Sequence, residues 1–327
     1  MKAVFSKALC AEAMEQMAAQ AEIYVANDGN PHNYLSAMRD ADALILRIGK
    51  VDAGVIDGSP LLRVIGRTGV GYDNVDIAAA TAAGIPVVLT PGANTQSVAE
   101  HTLALLFAVA KNLFEAQTET ARGQFTAVRD NGKAFEVAGK AIGLIGLGAI
   151  GRKVAQLCQA IGMQVIGYDP FLSRDQIEAS GCLYANDLRQ LLPRCDVVSV
   201  HVPLLPETKG LLGSAELSLM KPTSVVINCA RGGIIDEGAL FDALNNGIIA
   251  GAGIDVFVDE PVQADNPLLS APNIIISPHS AAMTREAVRN MGVQCVAGCL
   301  AVLHGERWPA VANPEAYAHP RWCTAHK

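Results

Sequence analysis

Short apolar runs alternate with stretches of helical periodicity along most of the chain. In residues 1–97 this alternation predicts short strands separated by helices, the first of them over residues 8–19. The predicted strands are residues 2–5, 22–25, 43–46, 62–65 and 85–89. Strands spaced by helices of this length form a parallel sheet that is covered on both faces. We therefore predict that residues 1–97 form an α/β unit of their own.

The same alternation resumes at residue 141 and continues to residue 277. The predicted strands are 141–145, 164–168, 196–201, 224–228, 252–256 and 274–277, and the predicted helices are 152–161, 214–220 and 237–245. This order of strands and helices is what a doubly wound sheet requires. A helix over 284–303 follows, and an irregular tail begins at residue 309. The predicted fold class is α/β, with two doubly wound parallel-sheet domains.

Residues 97–121 have the pattern of one long helix, with Ser97 as its N-cap and Glu100 completing a capping box. The centre of this helix, residues 103–110, is apolar on every face. A helix without a polar stripe is buried all round, either between domains or at a subunit interface. We therefore expect a homo-oligomer, most simply a two-fold homodimer.

A glycine motif follows the predicted strand 141–145. Gly146, Gly148 and Gly151 fill a G-x-G-x-x-G frame that opens a helix, and Asp169 ends the next strand, about 20 residues further on. Gly146 permits the tight turn, Gly148 lets the backbone approach a pyrophosphate, and Gly151 lets the helix pack on the strand. The helix N-terminus then faces the phosphates. Because Asp169 accepts hydrogen bonds from a ribose diol and repels a 2′-phosphate, the motif favours NAD over NADP.

Three polar side chains come just after predicted strands of this second part. They are Arg231, Glu260 and His279. Open parallel sheets place their ligands at this edge, so the three could meet in one cleft. Hydride transfer between a 2-hydroxy acid and a nicotinamide needs a proton donor and acceptor, a cation for the carboxylate and carbonyl, and an anion that favours the imidazolium. His201 also ends a strand, and we expect it to line the cofactor site.

Composition narrows the classes of function. The chain of 327 residues is long enough for two domains that each bury a core. A net charge of −7 argues against nucleic acid as a partner. The apolar runs are too short for a membrane span, the N-terminus does not read as a signal peptide, and the eight cysteines have no metal-ligand spacing. We expect a cytoplasmic protein without a metal centre, acting on a small molecule.

With these residues in hand, the chain resembles the D-isomer-specific 2-hydroxyacid dehydrogenases, most closely the D-3-phosphoglycerate dehydrogenase branch. The resemblance runs from about residue 43 to residue 311. Its specific segments are 66–76, 91–102, 143–151, 166–170, 201–212, 228–240, 255–261 and 278–281. It implies a split fold, with a Rossmann-type NAD domain (98–284) inserted into a flavodoxin-like substrate domain made of residues 1–97 and 285–327.

The resemblance also implies roles for individual residues. Arg231, Glu260 and His279 match the catalytic arginine, glutamate and histidine of the family. The residues implied to bind the cofactor are Gly146, Gly148, Ala149, Ile150, Gly151, Asp169, His201, Thr208, Cys229 and Asp255. The residues implied to bind substrate are Val70, Gly71, Asn94 and Arg47. From the sequence alone, Gly69 and Gly71 could form either a carboxylate-binding nest or a plain turn.

Departures from the family pattern leave the substrate open. The residues after His279 are Ser-Ala-Ala where the family has Gly-Gly, and the stretch 47–51 is shorter than in phosphoglycerate enzymes. Phosphoglycerate, hydroxypyruvate, glyoxylate or another small anionic D-2-hydroxy or 2-oxo acid remain candidates. Arg47, Lys50, Arg67 and Arg129 are candidates for binding the distal group of the substrate. The alternative function is an NAD(H)-sensing binding protein, similar to corepressors of the same superfamily.

Overall fold

The computed structural model describes residues 1–323, which divide into two compact units. One unit consists of Met1–Asn94 with the chain from Met283 onward, and the other is Thr95–Ala282. The sequence-based limits, 1–97 with 285–327 and 98–284, lie within three residues of these divisions. The assignment of the first unit to substrate binding stays a prediction.

The first unit is built on a five-stranded parallel sheet. Its strands are β1 (Lys2–Phe5), β2 (Glu22–Val25), β3 (Ala43–Leu46), β4 (Val64–Arg67) and β5 (Val87–Val88), and its first helices are α1 (Ala11–Ala18), α2 (Leu35–Met38), α3 (Ala53–Asp57) and α4 (Ile77–Ala82). The spatial order β2-β1-β3-β4-β5 is the flavodoxin-like order. The central strand β3 is buried along its whole length, because helices cover both faces of the sheet.

The second unit is built on a seven-stranded parallel sheet. Its strands are β6 (Ala141–Ile145), β7 (Gln164–Tyr168), β8 (Leu183–Tyr184), β9 (Val197–Val200), β10 (Val225–Asn228), β11 (Gly251–Ile254) and β12 (Ile274–Ile276). Its helices are α5 (Thr95–Ala110), α6 (Leu113–Ala121), α7 (Phe125–Arg129), α8 (Ala149–Ala160), α9 (Arg174–Ala179), α10 (Leu188–Leu191), α11 (Ser214–Leu217) and α12 (Glu237–Asn245). The order β12-β11-β10-β9-β6-β7-β8 reverses direction between β6 and β9, as in the Rossmann fold.

The chain then returns to the first unit through α13 (Arg285–Leu303) and α14 (Pro320–Cys323). Thr284 caps α13 by accepting a hydrogen bond from the amide of Ala287. Helix α13 packs on β4 and on α1, and its Cys295 and Cys299 lie over Gly66, where a Cβ would overlap both sulfur atoms. Short 3-10 helices complete the two units at Pro31–Tyr34, Leu192–Arg194, Pro267–Ser270 and Pro314–Ala318.

The predicted single helix over 97–121 is wrong, because the structure has two helices there. Helix α5 ends at Ala110, and Asn112 adopts a left-handed conformation (φ 51°) before α6 begins. The predicted N-cap is wrong as well, since α5 already begins at Thr95. Ser97 lies inside the first turn, and its hydroxyl donates to the carbonyl of Ala281 at 2.6 Å. Within residues 1–323, no helix is long and apolar enough to cross a membrane.

Candidate active site

The turn between β6 and α8 has the backbone that the glycine motif predicts. Gly146 has a φ of 94°, which favours glycine, and a Cβ there would also meet the backbone of His201. A Cβ on Gly151 would collide with the carbonyl oxygen of Gly146. A Cβ on Gly148 would meet no atom of residues 1–323 within 4 Å. Two of the glycines therefore allow close packing, and Gly148 leaves the space before α8 open.

The residues at this turn fit a dinucleotide. Among the described residues no side chain caps α8 at Gly148, so the amides of the first turn, which includes Ala149 and Ile150, are available to an anion. Asp169, at the end of β7, accepts hydrogen bonds from the amides of Leu147 at 2.9 Å and Phe171 at 3.0 Å. These two bonds fix the carboxylate beside the glycine turn, where the fingerprint requires an acidic residue for a ribose.

Other residues expected to line the cofactor lie around the same edge. His201 follows β9, its Nε2 is 2.9 Å from Ser199 Oγ, and burial lowers its pKa to about 4, so it is neutral near pH 7. Thr208 Oγ1 donates to the carbonyl of Pro203 and accepts from the amide of Leu205, which closes the turn after β9. Burial raises the pKa of the Cys229 thiol to about 12, so this residue is not a thiolate nucleophile.

The structure brings the predicted acid–base pair together. His279 follows β12, and its Nδ1 lies 2.6 Å from Oε2 of Glu260. Glu260 Oε1 also accepts a hydrogen bond from the amide of Phe257 at 3.1 Å. Burial alone would raise the pKa of Glu260, but the hydrogen bond and charge of His279, the Phe257 amide and the charge of Arg231 outweigh burial and lower it. Glu260 is therefore a carboxylate that orients the imidazole.

Arg231 belongs to the same constellation, because its charge acts on Glu260. The buried Asn228 at the end of β10 fixes the arginine turn: its Nδ2 donates to the carbonyl of Arg231, and its Oδ1 accepts from the amide of Ala230, both at 2.9 Å. Arg231 Nη1 donates to the carbonyl of Ala230 at 2.7 Å. A Cβ on Gly232 would overlap the carbonyl of Phe257, so this turn packs directly on the segment that leads to Glu260.

The side chain of His279 remains 43% exposed, which leaves the imidazole accessible to a ligand. Its backbone is left-handed, with φ 51°, a conformation that few residues other than glycine adopt, although asparagine, aspartate and histidine adopt it more often than the rest. The amide of His279 donates to the carbonyl of Asp255 at 2.7 Å. Asp255, expected to line the cofactor, has no exposed surface, and its carboxylate accepts hydrogen bonds from residues on both sides of His279.

The residues expected to bind substrate lie in the first unit. Strands β3 and β4 are paired, so Arg47 and the loop 68–71 follow neighbouring strands at the same edge of the sheet. Gly69 has a φ of 144°, and its carbonyl accepts from the amide of Thr90. Val70 is exposed, and the buried Asn94 Oδ1 has no hydrogen-bond partner within the described chain. A polar atom in that position is suited to a ligand.

The cationic candidates for the distal group are spread over both units. Arg47 Nη1 donates to the carbonyl of Ala8, and Arg67 Nε donates to Asn74 Oδ1 at 3.1 Å. Lys50, three residues after Arg47 in the sequence, is exposed to solvent. Arg129 is exposed on α7 of the second unit, with its Nε 3.8 Å from Asp130 Oδ1. Three of the four candidates therefore belong to the edge that carries the loop 68–71.

The fold and its motifs agree with a known family. Residues 103–281, more than half of the chain, match the family model "D-isomer specific 2-hydroxyacid dehydrogenase, NAD binding domain". The chain belongs to the D-isomer-specific 2-hydroxyacid dehydrogenase family. NAD is the cofactor, as the sequence predicts, because the match is to the NAD-binding domain of this family.

Individual members of the family resemble the chain over most of its length. It is 42% identical over 293 residues to a D-3-phosphoglycerate dehydrogenase of Methanocaldococcus jannaschii, which covers 89% of the chain and 55% of the relative. The chain thus spans about half the length of the curated relatives it matches. The crystal structure of the TT0316 protein from Thermus thermophilus is 34% identical, with a TM-score of 0.86 over 95% of this chain and all of the other.

A third relative is an NADPH-dependent glyoxylate/hydroxypyruvate reductase from Sinorhizobium meliloti, solved with NADP and malonate. It is 29% identical, with a TM-score of 0.85 over 96% of this chain and 97% of the other. These comparisons confirm the predicted family, its phosphoglycerate dehydrogenase branch and the two-domain α/β fold.

Sequence reasoning assigned no role to two polar residues that lie beside Asp255, His101 and Ser277. His101 lies on α5, and its Nε2 is 2.9 Å from Oγ of Ser277, at the end of β12. His101 stands in an Ala-Glu-His-Thr segment that the family resemblance already included, but the pattern assigned it no role. Its partner is distant in the sequence, so only the folded chain reveals the contact.

Proposed function

We propose that this protein is an NAD-dependent oxidoreductase that transfers a hydride between nicotinamide and a small anionic D-2-hydroxy acid or its 2-oxo acid. The observation that carries the proposal is the 2.6 Å contact between His279 Nδ1 and Glu260 Oε2, within the electrostatic reach of Arg231. An exposed imidazole paired with a carboxylate is suited to proton transfer near neutral pH. The guanidinium adds the cation that an anionic substrate needs.

Each residue then has one task in the reductive direction. When bound, the cofactor supplies the hydride. Arg231 binds the substrate carboxylate and polarises the 2-oxo group through its guanidinium donors. His279 gives a proton from its imidazolium to the oxygen of that group, so that the carbonyl becomes a hydroxyl. Glu260 stabilises the imidazolium before the transfer and keeps the ring oriented through Nδ1.

We propose further that Val70, Gly71 and Asn94 hold the substrate carboxylate, and that Arg47, Lys50 or Arg67 bind a distal anionic group. In this proposal the first unit is the substrate domain and the second is the NAD domain. Two relatives support a substrate of this kind, one a phosphoglycerate dehydrogenase and the other a glyoxylate/hydroxypyruvate reductase. Phosphoglycerate-, hydroxypyruvate- and glyoxylate-like acids are therefore the first to test.

The assay is the oxidation of NADH, followed by absorbance, with a panel of 2-oxo acids. The panel holds phosphohydroxypyruvate, hydroxypyruvate, glyoxylate, pyruvate and oxaloacetate. We expect turnover with at least one anionic 2-oxo acid and a D-configured product. NADH binding without turnover on any member of the panel would contradict the proposal and would favour the NAD(H)-sensing alternative.

We also propose that the protein is a homodimer of the cytoplasm that does not bind nucleic acid. Support for a dimer comes from α6, which has no buried residue, and from the exposed side chains of Leu113, Phe114 and Phe125. Seven cysteines whose side chains the structure describes are free thiols, and this supports a reducing compartment. The net charge of −7 supports the absence of a nucleic-acid partner.

A further inference from the structure

A buried carboxylate holds the loop that carries His279. Oδ1 of Asp255 accepts hydrogen bonds from the hydroxyl of Ser277 at 2.5 Å and from the amide of Ser280 at 2.9 Å. Its Oδ2 accepts from the amide of Ala281, also at 2.9 Å. The side chain is completely buried, so every one of these donors replaces water. Asp255 thus fixes the backbone on both sides of His279.

The charge of this carboxylate needs a partner, because isolated buried charges are very costly. His101 is a basic side chain at salt-bridge distance from this carboxylate, since its Nε2 lies 3.4 Å from Oδ1 of Asp255. Burial alone would raise the pKa of Asp255, but the nearby His101 ring and the hydrogen bonds from Ser277 and the two amides outweigh burial and lower it. The network therefore keeps Asp255 ionised.

The contacts define the direction of the hydrogen bonds. Ser277 has one hydroxyl proton, and its short contact with the Asp255 carboxylate uses that proton. The 2.9 Å contact between Ser277 Oγ and His101 Nε2 must then have His101 as the donor. His101 consequently carries a proton on Nε2, and the bonds run from His101 to Ser277 to Asp255. This order assigns the tautomer of His101 from geometry.

The same three residue types form the catalytic triad of serine hydrolases, but this arrangement differs from a triad. In a triad the histidine uses one ring nitrogen for the serine and the other for the carboxylate. Here both Ser277 and Asp255 approach Nε2 of His101, and the serine proton goes to the carboxylate. The serine oxygen is therefore not activated for attack. The network is suited to holding a loop rather than to covalent chemistry.

What the network holds is an uncommon conformation. His279 has a left-handed backbone, and such conformations persist only where the surrounding structure determines them. The carbonyl of Asp255 accepts from the amide of His279 at 2.7 Å, and Ser97 on α5 donates to the carbonyl of Ala281. Helix α5 thus contacts the loop 277–281 through Ser97 and His101.

We propose that His101 and Ser277 are positioning residues that act through Asp255 to keep the imidazole of His279 against Glu260. The proposal rests on the function proposed above, since His279 is there the proton donor. Neither residue touches the substrate in this role. Loss of the His101 donor loosens the loop 277–281, and His279 then spends less time in the geometry that transfers a proton.

The test compares His101→Leu with His101→Gln, whose side-chain amide can still donate towards Ser277. For His101→Leu we expect kcat to fall about 10- to 100-fold, with the dissociation constant of NADH within about threefold of wild type. His101→Gln should recover most of the activity. His304→Leu, at an exposed histidine after α13, is the matched control and should leave kcat unchanged.

Hydrogen exchange of backbone amides provides a second readout that does not depend on turnover. In His101→Leu the amides of Ser280 and Ala281 should exchange faster than in wild type, while those of strand β6 keep their protection. Ser277→Ala removes the hydroxyl that links His101 to Asp255, with a smaller change in side-chain volume. If His101→Leu does not fold, Ser277→Ala should show the same faster exchange of the Ser280 and Ala281 amides.

A His101→Leu enzyme with unchanged kcat and unchanged exchange in 277–281 would overturn the proposal. Equal losses in His101→Leu and His101→Gln would also overturn it, since the donor would then not matter. Failure of the wild-type protein to turn over any 2-oxo acid would instead refute the proposed function, and the exchange experiment would still decide whether His101 holds the loop.

Discussion

At the scale of single residues, the site depends on ionised carboxylates that the fold maintains. Both Glu260 and Asp255 have pKa values below their usual range, because hydrogen-bond donors outweigh the effect of burial. Asp169 is fixed by two backbone amides beside the glycine turn. Strand-end reasoning predicted from the sequence that Arg231, Glu260 and His279 lie at one edge of the sheet, since parallel strands align their carboxyl ends, and the structure has His279 in contact with Glu260. It could not find His101, whose partners lie on another element.

Asp169 should decide between NAD and NADP. In Asp169→Ala the repulsion of a 2′-phosphate is lost together with the acceptor for the ribose diol. We expect the ratio of kcat/KM for NADH to that for NADPH to fall by at least about tenfold, corresponding to about 1.4 kcal/mol. Asp175→Ala, at an exposed carboxylate of α9, is the control. An unchanged ratio would mean that another residue recognises the ribose.

Asp255 should make the stability of the fold depend on pH. Its pKa is lower in the folded chain than its ordinary value of 3.8, so the carboxylate stabilises the fold above that value. This contribution is lost as the pH falls through the folded pKa. We expect Asp255→Asn to reduce the free energy of unfolding by at least about 2 kcal/mol near neutral pH.

In denaturant titrations the difference between Asp255→Asn and wild type should stay constant from about pH 7 to about pH 5 and should shrink as the pH falls below about 4. A difference that does not shrink below about pH 4 would show that the ionisation of Asp255 does not stabilise the fold.

At the scale of elements, apolar periodicity located strands better than it located helix ends. Strands β1, β2, β3, β6 and β7 have the predicted bounds, because short apolar runs bounded by polar or turn residues fix both ends. Strand β4 is displaced towards Arg67, since Gly66 and Arg67 do not look like buried strand residues. The break before α6 was not predicted, because the left-handed conformation of Asn112 does not change the apolar periodicity of the sequence.

Substitution of the two glycines at the start of α8 should show which of them is needed for packing of the fold and which only for binding of the cofactor. In Gly151→Ala the new Cβ meets the carbonyl of Gly146, and overpacking of this kind costs about 1–3 kcal/mol of stability. In Gly148→Ala it meets open space, and φ is −64°, so the stability should not change. Both variants should bind NADH more weakly, as measured by fluorescence titration. Equal melting temperatures for the two variants would contradict this division of roles.

At the scale of the whole molecule, two parallel sheets with different strand orders carry the two proposed functions, substrate binding in the first unit and NAD binding in the second. The alternation of strands and helices predicts that both sheets are parallel, and the family resemblance implies their flavodoxin-like and Rossmann types, whereas the strand orders themselves come from the structure. The sequence could not give the distances between distant residues, such as the 2.6 Å contact of His279 with Glu260. These distances depend on how strands β11 and β12 place their loops after the chain has folded.

If the exposed apolar surface of α6 and α7 is the dimer interface, charged substitutions there should lower the mass of the particle in solution from dimer to monomer. Phe114 and Phe125 are 69% and 60% exposed, and a partner subunit would remove them from water. We expect wild type to sediment as a dimer and Phe114→Asp/Phe125→Asp as a monomer. Leu61→Asp, at an exposed leucine of the first unit, should stay dimeric. A monomeric wild-type protein at micromolar concentration would contradict the proposal.

The central claim is that His279, held by Glu260, transfers the proton, and its most direct test is the turnover of His279→Asn with NADH and the best 2-oxo acid of the panel. General acid catalysis contributes about 10²–10⁴-fold. We therefore predict that kcat falls by at least about 10²-fold while the dissociation constant of NADH stays within about threefold of wild type. Turnover close to that of wild type in His279→Asn would contradict the account.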